Sequence, residues 1–347
     1  MPTGLLTCTA PAVRRTLPLA RSASAVPGGA GVAKLEAVGQ ARKTRRGGIL
    51  MNLLGPQCSS DDAFRRIARK HQSAYRADAL KVPYDEYGNM LQKKDAGEGL
   101  NFYGGFGVFD AVKERYPVYK QQLYANLLRS EHIPFNMFVP FRAESALFAS
   151  VLAQAVGVNV AGIRSIEVEY APEPASEYLN DKTAFDVFCD CEDATGGKFF
   201  LGVEVKYTER KCRIGEKEAK YCSDSQSPYN TITTQTSLYR PGTRDALKTD
   251  ELRQVWRNHL LAEKIILASK LSFRYYKSIV LYPSGNTHIA NAVNDYKELL
   301  SDQRAETFAG ITFEEFFLLI DRYAESPGAK DWAAYLKRRY IPVRELA

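Results

Sequence analysis

The segment Lys198-Phe-Phe-Leu-Gly-Val-Glu-Val-Lys-Tyr207 has the apolar density of a strand covered on both faces, yet it carries two charges two residues apart. Side chains alternate along a strand, so Glu204 and Lys206 leave the same face as Phe200 and Gly202. Charges on a buried face are costly unless they are paired or bind a metal. The same Glu-x-Lys spacing recurs at Glu209–Lys211 and Glu218–Lys220, but in polar sequence, where such a pair reads as a solvated face.

A second strand over 184–192 precedes this one, and Asp193-Ala-Thr-Gly-Gly197 supplies the turn chemistry of a hairpin centred on Thr195. A symmetric hairpin about Thr195 sets Asp186 opposite Glu204, with Cβ atoms roughly 5 Å apart. Two facing carboxylates repel, and a bound cation relieves the repulsion. An oxygen-only donor set favours a hard ion, Mg²⁺ or Mn²⁺. A slip of one residue in the turn would carry Asp186 to the other face of the sheet.

The remaining pattern predicts one α/β domain with a mixed sheet. Residues 1–56 read as a basic leader, in which 1–50 are rich in Ala, Gly, Pro, Arg and Ser and lack periodicity. Eight Lys or Arg against one acid, Glu36, give that stretch the whole net charge of +7, and residues 51–347 are neutral. The leader suits an organellar transit peptide or an over-extended start with translation beginning at Met51. The domain then spans 57–347, with a helical N-terminal part over 57–130. Ser60 is the expected N-cap of its first helix, 82–107 a loop, and 108–128 a helix interrupted at Pro117. A helix ending near Val156 with Gly157 as C-cap, a strand over 162–170, a polar stretch over 209–248 with little pattern and a helix from about 250 to 268 follow. A strand over 276–282, a helix over 288–300 and a last helical region from Thr312 complete the reading.

Asp, a hairpin, and Glu-x-Lys on a buried strand resemble the PD-(D/E)XK nuclease superfamily, the restriction-endonuclease-like fold. His132-Ile-Pro-Phe-Asn-Met-Phe-Val-Pro140, Thr183-Ala-Phe-Asp-Val-Phe188 and Gln254-Val-Trp-Arg-Asn258 are similar to a bacterial subgroup described as restriction endonucleases. The resemblance covers roughly 60–320, and Phe185 stands where the family name has Pro. It implies a restriction-endonuclease-like core, a central mixed sheet flanked by helices with a helical N-terminal extension. It further implies a Mg²⁺- or Mn²⁺-dependent nuclease acting on DNA more readily than RNA, in restriction or defence. The alternative is an inactive nucleic-acid-binding module of the same fold. By the resemblance Asp186 and Glu204 hold the metal, aided by a backbone carbonyl near Val205, and Lys206 orients or deprotonates water or stabilises the transition state. Glu144, on the helix ahead of the first strand, would hold Lys206 or a metal-bound water. Gln254 would position the scissile group or a base, and Arg257 would contact a phosphate. A homodimer is compatible with this reading, and a membrane partner is not.

Other features point elsewhere. The cysteines at 8, 58, 189, 191, 212 and 222 follow no secretory signal, which suits reduced thiols in a cytoplasmic protein. Cys189, Cys191, Cys212 and Cys222 could form a zinc site, but their spacing matches no common knuckle, and small buried hydrophobes explain them better. Glu167 and Glu169 on the preceding strand either face the same cleft or lie on an exposed edge. Asp190 is expected at the sheet's solvated end, and His71, His132, His259 and His288 show no paired spacing. The basic run Arg65–Lys70 reads as a solvated face or a phosphate-tracking surface.

Overall fold

A computed structural model describes residues 53–211, 216–268 and 272–342. The expected leader up to residue 52, with Cys8, and also Cys212 lie outside these residues. The elements run α1 (Ala63–Tyr75), α2 (Lys93–Gly97), α3 (Val108–Arg115), α4 (Gln121–Ala125), α5 (Ile133–Phe138), α6 (Ser145–Val156), β1 (Gly162–Tyr170), β2 (Phe185–Glu192) and β3 (Lys198–Val205). There follow α7 (Glu216–Ser223), α8 (Pro228–Gln235), α9 (Arg244–Leu247), α10 (Arg253–Leu267), β4 (Tyr275–Tyr282), α11 (Thr287–Leu299), β5 (Phe308–Thr312), α12 (Phe313–Tyr323) and α13 (Pro327–Tyr340).

The sheet order is β1-β2-β3-β4-β5, antiparallel from β1 to β3 and parallel from β3 to β5. This is the mixed sheet with flanking helices and a helical N-terminal region that the pattern required. One face packs Val187, Leu201, Val203, Ile279 and Leu281 against α6, α12 and α13. The other packs Phe188, Phe200, Tyr276 and Val280 against α8, α10 and α11. With both faces covered, β3 is buried over all but its first residue, which is why its sequence is apolar nearly throughout. No helix among the described residues is long and apolar enough to cross a membrane.

Several boundaries differ from expectation. The N-cap of α1 is Asp62, whose carboxylate accepts from Arg65 N, in place of Ser60. The polar stretch after Lys206 holds three helices, α7, α8 and α9. The second of these is announced by Ser227 as cap and Pro228 in its first turn. Its Asn230 is buried and satisfied locally, donating to the Cys222 and Asp224 carbonyls, so polar residues there build structure without an apolar stripe. The short strand β5 ends at Thr312, where Thr312 and Glu315 form a capping box that starts α12. The strand is absorbed visually by the helix signal behind it.

At the free edge of β1, Arg142 donates through Nε and Nη2 to the Ile166 carbonyl, at 3.0 and 2.7 Å. Arg115 Nη2 donates to the Glu169 carbonyl at 2.9 Å. Between α3 and this edge runs a groove of about 600 Å³, whose lining includes Arg115, Phe135, Arg142, Glu167, Glu169 and Tyr170.

Candidate active site

The turn between β2 and β3 is organised by Asp193. Its Oδ1 accepts from Thr195 N, Thr195 Oγ1 and Gly197 N at 2.8, 2.6 and 2.9 Å. Gly196 adopts φ +74°, a conformation that side chains disfavour. This closure centres the hairpin on Thr195, and the pairs Glu192↔Lys198 through Val187↔Val203 follow from it. One step beyond the last pair, Asp186 meets Glu204. The Val205 N–H is taken by the Asp186 carboxylate, Oδ2 accepting at 2.7 Å. The register expected from the turn is the register observed.

Glu204 is only 3% exposed. Its Oε1 accepts from Lys206 Nζ and Gln254 Nε2, and its Oε2 from Asn258 Nδ2. Gln254 and Asn258 lie four residues apart on α10, hence on one helical face directed at the strand. Asn258 was not among the expected residues, although its spacing from Gln254 was the available signal. Burial raises the Asp186 carboxyl well above the usual range, and Glu204 and Glu169 raise it further against the pull of Lys206 and Val205 N–H. Burial alone would depress the Lys206 ammonium, but Glu204, Asp186 and Glu209 raise it above its ordinary value, so Lys206 is charged.

The surroundings come from both halves of the chain. Glu209 accepts from Tyr207 N and from Ser130 Oγ, both at 2.7 Å, tying the segment after Lys206 to the N-terminal helices. Glu169 is raised by burial and then by Glu204 and Glu131, against Arg115 and Lys120. Burial and Glu169 push the neighbouring Tyr116 hydroxyl up to about 12.

Two expected site residues are placed elsewhere. Glu144 stands at the N-cap of α6 and its Oε1 accepts from Ser326 Oγ at 2.6 Å, at the cap of α13. Helix α6 packs on the face of the sheet opposite Asp186 and Glu204, so its N-cap residue is not brought to them. Arg257 points to the loop before β2, where it donates to Thr183 Oγ1 at 2.9 Å and approaches Asp181 at 3.4 Å. One residue short of Asn258 on the helix, it leaves a different face. Phe185 is fully buried and packs with Phe188 and Phe200, not on the Val187–Cys191 face.

The cysteines do not assemble. Cys189 and Cys191 are buried on one side of the sheet and Cys222 on the other. His259 is buried between Tyr296 and Thr307, each ring nitrogen 3.0 Å from a hydroxyl, and burial lowers it to about 3.

Among the described residues no group of three or more His, Cys, Asp or Glu is placed to hold a metal ion by itself. The donor set still fits a hard divalent ion that keeps much of its water. The register sets the two carboxylates level on adjacent strands, and the backbone bond to the Asp186 carboxylate falls on Oδ2. Ions such as Mg²⁺ are commonly held by one or two carboxylates, with water filling the other positions.

A family model of the PD-(D/E)XK nuclease superfamily matches residues 59–342, and the chain belongs to that superfamily. No curated protein and no solved structure matches the chain.

Proposed function

We propose that this protein is a Mg²⁺- or Mn²⁺-dependent endonuclease that hydrolyses DNA phosphodiester bonds, in restriction or a related defence. The observation that carries this reading is the meeting of Asp186 and Glu204 across β2 and β3, with Lys206 and Gln254 on the same carboxylate. Asp186 and Glu204 would hold the ion. When bound, such an ion polarises the phosphate and makes water a better nucleophile.

The residues of the chain account for the rest. In hydrolysis the water oxygen bonds to phosphorus and its proton passes to solvent. The bond to the leaving oxygen breaks and that oxygen is protonated from solvent, and negative charge grows on the phosphoryl oxygens in between. Lys206, held charged by its neighbours, is suited to stabilising that charge and not to taking a proton. Gln254 and Asn258 fix Glu204 in one rotamer, and each can be handed from the carboxylate to substrate. Arg257 holds the loop that delivers β2, a positioning role through Thr183 and Asp181.

The test is incubation of the full chain with plasmid and with DNA and RNA oligonucleotides in Mg²⁺, Mn²⁺ or EDTA. Cleavage should require the metal and vanish in Glu204→Ala. Cleavage that survives Glu204→Ala rejects the assignment. A binding module without turnover has one observation in its favour, the complete engagement of Glu204 by protein donors. Binding without cutting in either metal would select it.

A further inference from the structure

The alignment of β1 with β2 carries a consequence for Glu169. Before the bulge, Ile163 pairs with Cys191; after it, Ser165 pairs with Asp190, so Arg164 is the extra residue. The bulge slides all that follows by one position. Val168 pairs with Val187 and Tyr170 with Phe185, leaving Glu169 level with Asp186. Without the bulge Val168 would occupy that level. Bulges near functional sites commonly re-aim a side chain in this way.

Glu169, Asp186 and Glu204 thus stand in one row across β1, β2 and β3, and the row continues into Val280 of β4. Burial differs between its carboxylates. Glu204 is enclosed, Asp186 and Glu169 are half-buried, and Glu169 also lines the groove outside β1. The Glu169 backbone takes the left-handed conformation, φ +59°, and Arg115 grips its carbonyl. Of the three carboxylates, Glu169 is the one that lines this groove. Among the described residues it does not complete a three-residue ligand group with the other two.

We propose that Glu169 is a positioning residue whose carboxylate anchors the hydration shell of the divalent cation held by Asp186 and Glu204. This rests on the metal site of the proposed nuclease. It fills, from a strand, the supporting role that the family resemblance implies for Glu144.

Calorimetric titration of the full chain with Mn²⁺, without nucleic acid, tests it. Glu169→Gln should weaken Mn²⁺ binding about tenfold or more, the usual effect of losing an outer carboxylate. Glu169→Asp, which keeps the charge but withdraws it by a methylene, should fall between Gln and wild type. Glu167→Gln, on the same strand and exposed, should leave the affinity unchanged. Equal affinity in wild type, E169Q and E169D, with binding lost in E204A, overturns the role of Glu169 and leaves the metal site standing. Should E169Q not fold, wild type binding more tightly than E169D supports the proposal, and equal affinities overturn it. Absence of Mn²⁺ binding in wild type overturns both readings.

Discussion

Gly202 offers the sharpest test of how the hairpin is assembled. It lies on β3 opposite Phe188, two residues before Glu204 and on the same face. Its backbone is ordinary strand, so the need for glycine is one of space. A Cβ at this position would lie 2.4 Å from Phe185 Cε1 and 2.8 Å from Cδ1 and Cζ. Real contacts of this kind do not occur, and the Phe185 ring is fully buried against Phe188 and Phe200. Gly202→Ala must therefore displace the ring, and forcing a methyl into a filled core costs about 1–3 kcal/mol. Because Phe185 adjoins Asp186 in the chain, metal-dependent cleavage should fall together with stability. Urea denaturation of G202A, F185A and the double variant measures the coupling. F185A alone should cost about 3–5 kcal/mol. On that background G202A should be nearly neutral, giving a favourable coupling of about 1–3 kcal/mol between the sites. If G202A costs as much without the ring as with it, the steric account is refuted.

Asn258→Leu removes a donor from Glu204 Oε2 and should lower metal-dependent cleavage about 10–100-fold with the fold retained; an unchanged rate in a nuclease assay rejects its role. His259 is neutral when buried, whereas an unfolded histidine protonates near pH 6.5. Its contribution is thus present above pH 6.5 and is lost as pH falls towards 3, at up to about 1.4 kcal/mol per pH unit. Urea unfolding from pH 7 to pH 4 should show the stability gap between wild type and His259→Gln narrowing with acid, and parallel curves would refute this. Of Cys58, Cys189, Cys191 and Cys222, only Cys58 is more than marginally accessible. Burial also raises the thiols of Cys189 and Cys191. Mass-mapped alkylation should label Cys58 in the native protein and the other three only in denaturant; native labelling of Cys189 would contradict their packing.

What the sequence made legible was the part governed by short-range periodicity. Alternation along β3 and the turn at Thr195 were enough to set Asp186 against Glu204, because each residue of error reverses the face and only one register buries the apolar set. Periodicity placed the helix that carries Gln254, and the family resemblance singled that residue out. Asn258 is not legible in the sequence, because an Asn beside Arg257 has no chemistry of its own until Glu204 is placed before it. Glu144 and Glu169 exchanged prominence for a topological reason. The face on which α6 packs is decided by long-range contacts with α12 and α13, and the bulge at Arg164 leaves no mark in the pattern. Helices α7 to α9 were hidden because their polar side chains are satisfied internally, as Asn230 shows. The strand β5 was hidden because its five residues run straight into a helix cap.

The two guanidinium groups at β1 bear on how copies of this protein meet one another. An open sheet edge is a template on which another chain can add a strand, the usual first step towards irregular aggregates. Here Ile166 and Glu169 have their carbonyls occupied by Arg142 and Arg115, and both arginines come from segments ahead of β1 in the chain. The segments ahead of β1 thus guard this edge as well as forming a wall of the groove. Strand addition here by a second copy would first have to displace these two guanidinium groups. A version trimmed back to the sheet and its later helices would lose the Arg115 guard and should be more prone to associate through β1.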